Sequence, residues 1–382
     1  VVIRLIKGLN IRLYPTREQE ILMYKHIGSM RFVWNWALNK QIKHYKETNK
    51  KLSIVDLGKE LTKLKQLKEY TWLYEVSNAT LKESIRDLDK AYQRFFKGSG
   101  FPKFKSKKKS EPRFYSRYEK IKFTRDVVNL EKIGKVRYRA DYNIDLTQIA
   151  KFSNPRVKFN GRCWVLTLGI EIEPQKANLN DFSLGIDLDI SQLAITNIDE
   201  LGIKNINKTH RVKKLNKKLK RLQRQCSRKY EMNKEGSRYQ KTRNIVKLEK
   251  KIKRLHNKLK NIRLNHIYQA TNKMVKTKPS RVVMENLNVS GMMKNRHLSK
   301  AIAEQGLCTF ISQMKYKCKK DGIKFIQAPR FYPSSKTCSK CGTIKKDLKL
   351  SDRTYKCECG FICDRDKNAS YNLANYGLEK SS

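Results

Sequence analysis

Four cysteines near the carboxyl end constrain this chain more tightly than any other feature. Two residues lie between Cys338 and Cys341, fifteen between Cys341 and Cys357, and one between Cys357 and Cys359. Gly342 and Gly360 follow the two pairs, as knuckle turns require. Four thiolates at this spacing suit a tetrahedral structural Zn²⁺, so a small zinc ribbon is expected over residues 333–363. The second pair is tighter than the usual two-residue gap, which makes Cys363 a rival fourth ligand. Cys359 is preferred because Gly360 then holds the place that Gly342 holds in the first pair. The remaining cysteines, Cys163, Cys226, Cys308 and Cys318, are scattered. That distribution points to a reducing compartment and one local metal site, not to a disulfide framework.

The partner is indicated by charge. Lys and Arg total 86 against 35 Asp and Glu, a net +51, far beyond what solubility needs and suited to a polyanion. Residues 204–264 alone hold 24 basic and three acidic side chains. Within them Val212, Leu215, Leu219 and Leu222, then Ile245, Leu248, Ile252, Leu255, Leu259 and Ile262, repeat at coiled-coil spacing. Two long antiparallel helices with basic outer faces are expected, joined by a polar turn around residues 233–236. Residues 97–125 hold eleven basic residues and two Glu, interleaved with Phe101, Phe104, Phe114, Tyr115, Tyr118 and Phe123. Cations for phosphates and rings for bases make this a candidate RNA-contacting strip, with Lys103 and Lys105 in it. No apolar run approaches a membrane span, and the first ten residues lack the pattern of a signal peptide.

The rest of the chain reads as mixed α and β structure. Residues 7–15 alternate, with Leu9, Ile11 and Leu13 on one face, and stop at Pro15, as an edge strand would. Thr16 is placed to cap a helix that continues through RFVWNWALNKQIKHYK, with a further helix over 57–67. Residues 77–96 form a third, with Leu81, Ile85, Leu88, Ala91, Tyr92 and Phe95 as its core stripe. Asn78, Lys82, Arg86 and Lys90 lie on its opposite face, where they could meet a duplex. Residues 121–173 are β-like, with turns at Asn160-Gly161 and Pro155, and with the first strand they predict a small barrel or curved sheet. SLGIDLDISQLAITN offers two strands of an α/β sheet, which resumes at 281–285 and 324–328. Helices are expected over 298–322 and 368–377. Asp187 and Glu285 end apolar strands, and Asp366 stands at the mouth of the last helix. Such carboxylates can converge on one side of a sheet to hold Mg²⁺, and two ions about 4 Å apart can drive an in-line phosphodiester displacement.

Together these residues resemble TnpB, a family of insertion-sequence RNA-guided nucleases and ancestor-like relatives of type V CRISPR effectors. The resemblance spans the chain, through NIRLYPTREQE, RFVWNWAL, DLDKAYQRFFKG, GFPKFKSKKK, GIDLD, ENLNV, FYPSSKTCSKCG, LKLSDR and DRDKNAS. It implies a multidomain α+β protein with a RuvC-like RNase H fold, a zinc ribbon insertion, a wedge β-barrel and a helical recognition lobe. The barrel would take 1–15 and 121–178, the helical lobe 16–120. The nuclease domain would take 179–332, with its basic hairpin at about 208–264, and resume at 364–382. It implies Asp187, Glu285 and Asp366 as catalytic Mg²⁺ ligands, with Asp364 the nearby alternative to Asp366. It also implies a guide RNA from the transposon end, a double-stranded DNA target beside a short A/T-rich motif, and one protein per RNA. Tyr45, Ser77, Asn78 and Lys82 are candidates for reading that motif. Two departures are Asp189, where the family commonly has Gly, and the one-residue gap of the second cysteine pair. A prokaryotic cytoplasm is the implied location, with association to the nucleoid during targeting. A guided DNA-binding protein without cleavage is the alternative function.

Overall fold

The computed structural model describes residues 5–108, 110–140, 145–149, 151–174, 177–349 and 352–378. The expected structure at 1–4, 141–144, 350–351 and 379–382 lies outside them. The chain divides into two compact units, one made from Arg4–Ile172 and the other chiefly from Glu173–Ser382.

In the first unit, β1 (Leu5–Tyr14) buries Leu9, Ile11 and Leu13 as the alternation predicts. Thr16 and Gln19 form a capping box that opens α1 (Arg17–Thr48). α2 (Ile54–Gln66) and α3 (Asn78–Phe96) follow. Then come β2 (Arg113–Tyr115), β3 (Lys122–Phe123), β4 (Val127–Leu130), β5 (Gly134–Arg139), β6 (Ser153–Phe159) and β7 (Trp164–Ile172). The strands form a seven-stranded sheet in the order β2-β6-β7-β1-β5-β4-β3, its registered pairs all antiparallel. β1 is thus the central strand, not an edge: Pro15 lies one residue past its end and removes no ladder donor. Pro155 does not make a turn either. It sits inside β6 at a register shift, where Asn154 takes a φ of +45°, so the missing N–H falls at a bulge.

α1 serves two cores. Met23, Ile27 and Met30 cover the sheet, while Val33, Trp34, Ala37 and Leu38 pack with Leu57 and Leu61 of α2 and Leu81, Ile85 and Leu88 of α3. Arg156 of β6 ties α3 to the sheet through two bonds to Asp87 (2.7 and 2.9 Å) and one to Glu83 (3.1 Å).

The second unit opens with β8 (Asn180–Asp187), β9 (Gln192–Thr196) and β10 (Ile203–Lys204). α4 (His210–Met232) and α5 (Arg243–Lys276) are the predicted long helices, seamed by Val212, Leu215, Leu219, Ile252, Leu255 and Leu259. Between them the expected turn contains a small hairpin, β11 (Lys234–Glu235) and β12 (Arg238–Tyr239). β13 (Pro279–Glu285), α6 (Val289–Met292), α7 (Ser299–Gln305), α8 (Leu307–Asp321) and β14 (Lys324–Ala328) follow. The helix predicted over 298–322 is therefore two, broken where Gly306 turns left-handed (φ +74°) beside Ile267 of α5. β15 (Thr354–Lys356), β16 (Ile362–Asp364) and α9 (Arg365–Asn375) close the chain.

The main sheet runs β10-β9-β8-β13-β14, with β8, β13 and β14 parallel and β9 and β10 antiparallel to their neighbours. Leu184, Ile186, Val282 and Met284 face α5, α7 and α8, whereas Val283 faces α9. Both faces of the central strands β8 and β13 are covered, which is why Leu184–Ile186 and Val282–Met284 carry no polar side chain.

Candidate active site and metal centre

Asp187 and Glu285 stand at the carboxyl ends of adjacent parallel strands, one step beyond the Ile186–Met284 pair. The third carboxylate arrives through a backbone contact. A Cβ at Gly185 would lie 2.0 Å from the Ser370 carbonyl and 2.4 Å from the Ala374 amide. Only glycine at that position lets α9 lie directly on β8, with Asp366 in its first turn. The far end of α9 is tied down by Arg281, whose Nη2 donates to the Ala374 carbonyl at 2.6 Å. Asp364 caps the helix, its Oδ1 accepting the amides of Asp366 (2.9 Å) and Lys367 (3.1 Å), so it turns toward the backbone while Asp366 faces the site.

Asp187, Asp189, Glu285 and Asp366 line one cavity of about 200 Å³, with Arg365, Lys336 and Lys349 also in its wall. Asp187 and Asp366 are 8 % and 9 % exposed. Burial pushes the Asp187 carboxyl well above the usual carboxylate range. The charges of Glu285, Asp366 and Asp189, and a hydrogen bond shared with Glu285, push it the same way. Asp366 is partly compensated: its Oδ1 accepts Arg365 Nε (3.0 Å) and Nη2 (2.9 Å), and its Oδ2 lies 3.4 Å from Arg353 Nη1. Glu285 Oε1 accepts the Ser334 hydroxyl at 2.7 Å. Asp189 spends its oxygens on the following turn, accepting the amides of Ile190 (2.6 Å) and Ser191 (3.1 Å) and the Ser191 hydroxyl. Crowded, buried carboxylate oxygens fit a hard divalent cation, which would supply the missing positive charge.

The acidic oxygens are nevertheless more widely spread than the thiolates. Among the described residues, Cys338, Cys341, Cys357 and Cys359 are the one group of three or more potential ligands whose donor atoms all fall within 4.8 Å of one another. Sulfur separations of 3.7 Å (Cys338–Cys359) and 3.5 Å (Cys341–Cys357) approach the roughly 3.8 Å edge of a tetrahedron with 2.3 Å Zn–S bonds. The four cysteines fit a structural zinc. Gly342 and Gly360 take matching φ values of +82° and +83° after the two cysteine pairs. Cys363 points elsewhere, its thiol donating to the Asp364 carbonyl at 3.2 Å. The Thr343 side chain and amide beside Cys341 pull its thiol down to about 6, favouring the thiolate that a metal requires.

The nucleic-acid candidates of the first unit divide. Tyr45 is 56 % exposed on α1; Asn78, Lys82 and Arg86 are exposed along α3, and Lys103 in the loop after it. Ser77 is not offered to a groove. It is buried, its amide donating to His26 Nε2 at 3.2 Å and its hydroxyl to Glu131. Lys105 is likewise turned inward, its ammonium 3.3 Å from the centre of the Trp34 ring, and burial pushes its pKa down to about 8. Asn35 holds the Lys105 backbone from both sides (2.7 and 2.9 Å), so the RFVWNWAL and GFPKFK motifs are halves of one internal clamp. Phe114 and Phe123 belong to the sheet core, not to a stacking surface. The sequence reading missed Ser334, Arg353 and Arg365 in the acidic site. Their signal was present in the strings PSSKT, LSDR and DRDK that flank the chosen ligands.

Three family descriptions match this chain: "Helix-turn-helix domain" over residues 5–51, "Probable transposase" over 168–296, and "Cas12f1-like, TNB domain" over 308–373. Within the first stretch the structure has one strand and one unbroken helix. A protein of Streptomyces pristinaespiralis with the name "Putative RNA-guided DNA endonuclease" is 30% identical, covering 98% of this chain and 90% of its own length. A protein of Escherichia coli K12, "Putative RNA-guided DNA endonuclease InsQ", is 28% identical over 97% of this chain and 92% of its own. Among solved structures, "Cryo-EM structure of the Cas12f1-sgRNA-target DNA complex" aligns with a TM-score of 0.52 at 15% identity over 99% of this chain and 100% of that one, a likeness of fold. With the transposase match in its middle and near-complete coverage by a relative at this identity, the chain belongs to the TnpB family of insertion-sequence proteins.

Proposed function

We propose that this protein is an RNA-guided DNA endonuclease that hydrolyses phosphodiester bonds with divalent metal, using Asp187, Glu285 and Asp366. The observation that carries the reading is their shared cavity at the carboxyl edge of a sheet ordered β10-β9-β8-β13-β14, in a chain of net charge +51. That strand order, with three parallel strands and an antiparallel hairpin, supports a RuvC-like assignment for the second unit. The names of the relatives and the structural likeness to a complex with guide RNA and target DNA support the choice of substrate.

The charges of both Glu285 and Asp366 act on Asp187, so the three carboxylates together could hold divalent metal. Magnesium bound there would activate a water and stabilise the leaving oxygen. The chain's own residues orient the site. Arg365 fixes one oxygen of Asp366, Ser334 fixes one oxygen of Glu285, and Lys349 brings positive charge to the cavity wall where a phosphate would enter. The basic faces of α4 and α5 would hold the guide or its hybrid with DNA. Tyr45, Asn78 and Lys82 remain the candidates for reading an A/T-rich adjacent motif, with one chain per RNA. The first unit would supply the wedge barrel and helical lobe.

The test is to purify the full chain with its co-expressed RNA, sequence that RNA, and assay a matched DNA. Asp187→Ala or Glu285→Ala is expected to abolish Mg²⁺-dependent cutting while RNA and DNA binding persist. Cleavage by Asp187→Ala at the unaltered rate would overturn the site. Tight, guided binding by the unaltered protein with no cleavage under any metal would select the binding-only alternative.

A further inference from the structure

Residues 329–339 lead from the end of β14 past the first zinc ligand without a helix or a strand. Two buried asparagines four residues apart on α9 hold this strap. Asn372 Nδ2 donates to the carbonyls of Ser334 (2.7 Å) and Thr337 (2.6 Å). Asn368 Nδ2 donates to the Thr337 carbonyl (2.6 Å), and its Oδ1 accepts the Ser339 amide (3.1 Å). At one end of the strap is Cys338, 1 % exposed, whose amide donates to the Thr343 carbonyl inside the knuckle at 2.8 Å. Near the other is Ser334, 3 % exposed, whose hydroxyl donates to Glu285 Oε1. The helix that grips the strap is also the one that presents Asp366.

We propose that Ser334 is a positioning residue for Glu285, and that Asn368 and Asn372 hold it in place by tying the strap, and with it the zinc knuckle, to the helix carrying Asp366. The proposal deepens the endonuclease reading and rests on it. A serine on an irregular segment can hold a carboxylate only if its own backbone is fixed, and three asparagine bonds to just two carbonyls do that. With one oxygen of Glu285 held, the other is presented in a set direction, so less order is lost when a cation binds. Partners of this kind, one shell out from a metal, typically change affinity or activity by about 10- to 100-fold.

The experiment compares the unaltered full chain with Ser334→Ala and Asn372→Ala. Direct binding of Mn²⁺ to the RNA-free chain is read from the free-ion paramagnetic signal, with Asp187→Ala as baseline. The Mg²⁺ concentration for half-maximal cleavage is measured on the RNA-loaded protein. Both variants are expected to bind Mn²⁺ about tenfold or more weakly and to need correspondingly more Mg²⁺. The rate at saturating Mg²⁺ should change much less, and zinc should stay at one per chain. A serine that merely fills space would lower the melting temperature and leave both metal titrations where they were. Unchanged Mn²⁺ affinity in Ser334→Ala overturns the positioning role, and unchanged affinity in Asn372→Ala overturns the strap. Failure of the endonuclease reading itself is distinct: it would appear as no cutting of matched DNA by the unaltered protein under any metal.

Discussion

At Asp187, burial and three neighbouring carboxylates act in one direction, each favouring the protonated acid. Asp187→Asn is therefore expected to end cutting and, without divalent metal, to raise the melting temperature. The gain is roughly 2–4 °C for each kcal/mol of repulsion relieved in a unit of this size, and a fall in calorimetric Tm would contradict it. His26 presents the opposite case. Burial lowers its pKa below the ordinary 6.5, while the Leu22 carbonyl and Glu131 offset part of the shift. The unfolded chain then binds the proton that the folded chain refuses. The stability this group contributes is complete above about pH 6.5 and is lost as pH falls toward the lowered folded value. Melting curves between about pH 7 and 5 should show that loss, and His26→Gln should flatten it. Single residues were not equally legible. Asp187 interrupts an apolar run, which any reader of the sequence sees. Ser77 and Lys105 looked available because nothing local shows that Glu131 and Trp34 will meet them.

Among the elements, the zinc ribbon was the most legible, because a metal site is specified by spacing over some twenty residues and needs little from the rest of the fold. Cys359→Ser is expected to drop zinc content well below one per chain, whereas Cys363→Ser should leave it at one, both read by metal analysis of purified protein. The pairing of α9 with β8 was legible only as a helix and a strand. That they touch backbone to backbone depends on Gly185, which in the sequence is only one glycine in GIDLD. Gly185→Ala should cost about 3 kcal/mol or more, since its Cβ meets main-chain atoms that cannot rotate aside. The measurement is thermal unfolding, and loss of the Asp366 position should take cleavage with it. β1 was misplaced for a related reason. A proline just beyond a strand's end looks the same in sequence whether the strand lies at the edge or in the centre.

For the molecule as a whole, charge dominates the expected behaviour. A chain of net +51 that neutralises many phosphates must release many counterions, so its RNA affinity should fall steeply with salt. Replacing Lys217, Lys218, Lys220 and Arg221 of α4 with Ala should shallow the log–log salt slope by about one for each phosphate left unneutralised, and an unchanged slope would remove α4 from the interface. The charge, the periodic seams of α4 and α5, the cysteine spacing and the two apolar runs that end in Asp187 and Glu285 are all local or additive properties, so the sequence by itself determined them. Tertiary structure alone decided which surfaces were free and which carboxylates met. It turned Lys105 inward, broke a helix at Gly306, made β1 central and hung Glu285 from Ser334. Each of those outcomes depends on contacts between residues far apart in the chain, and such contacts leave no period or spacing in the sequence to be read.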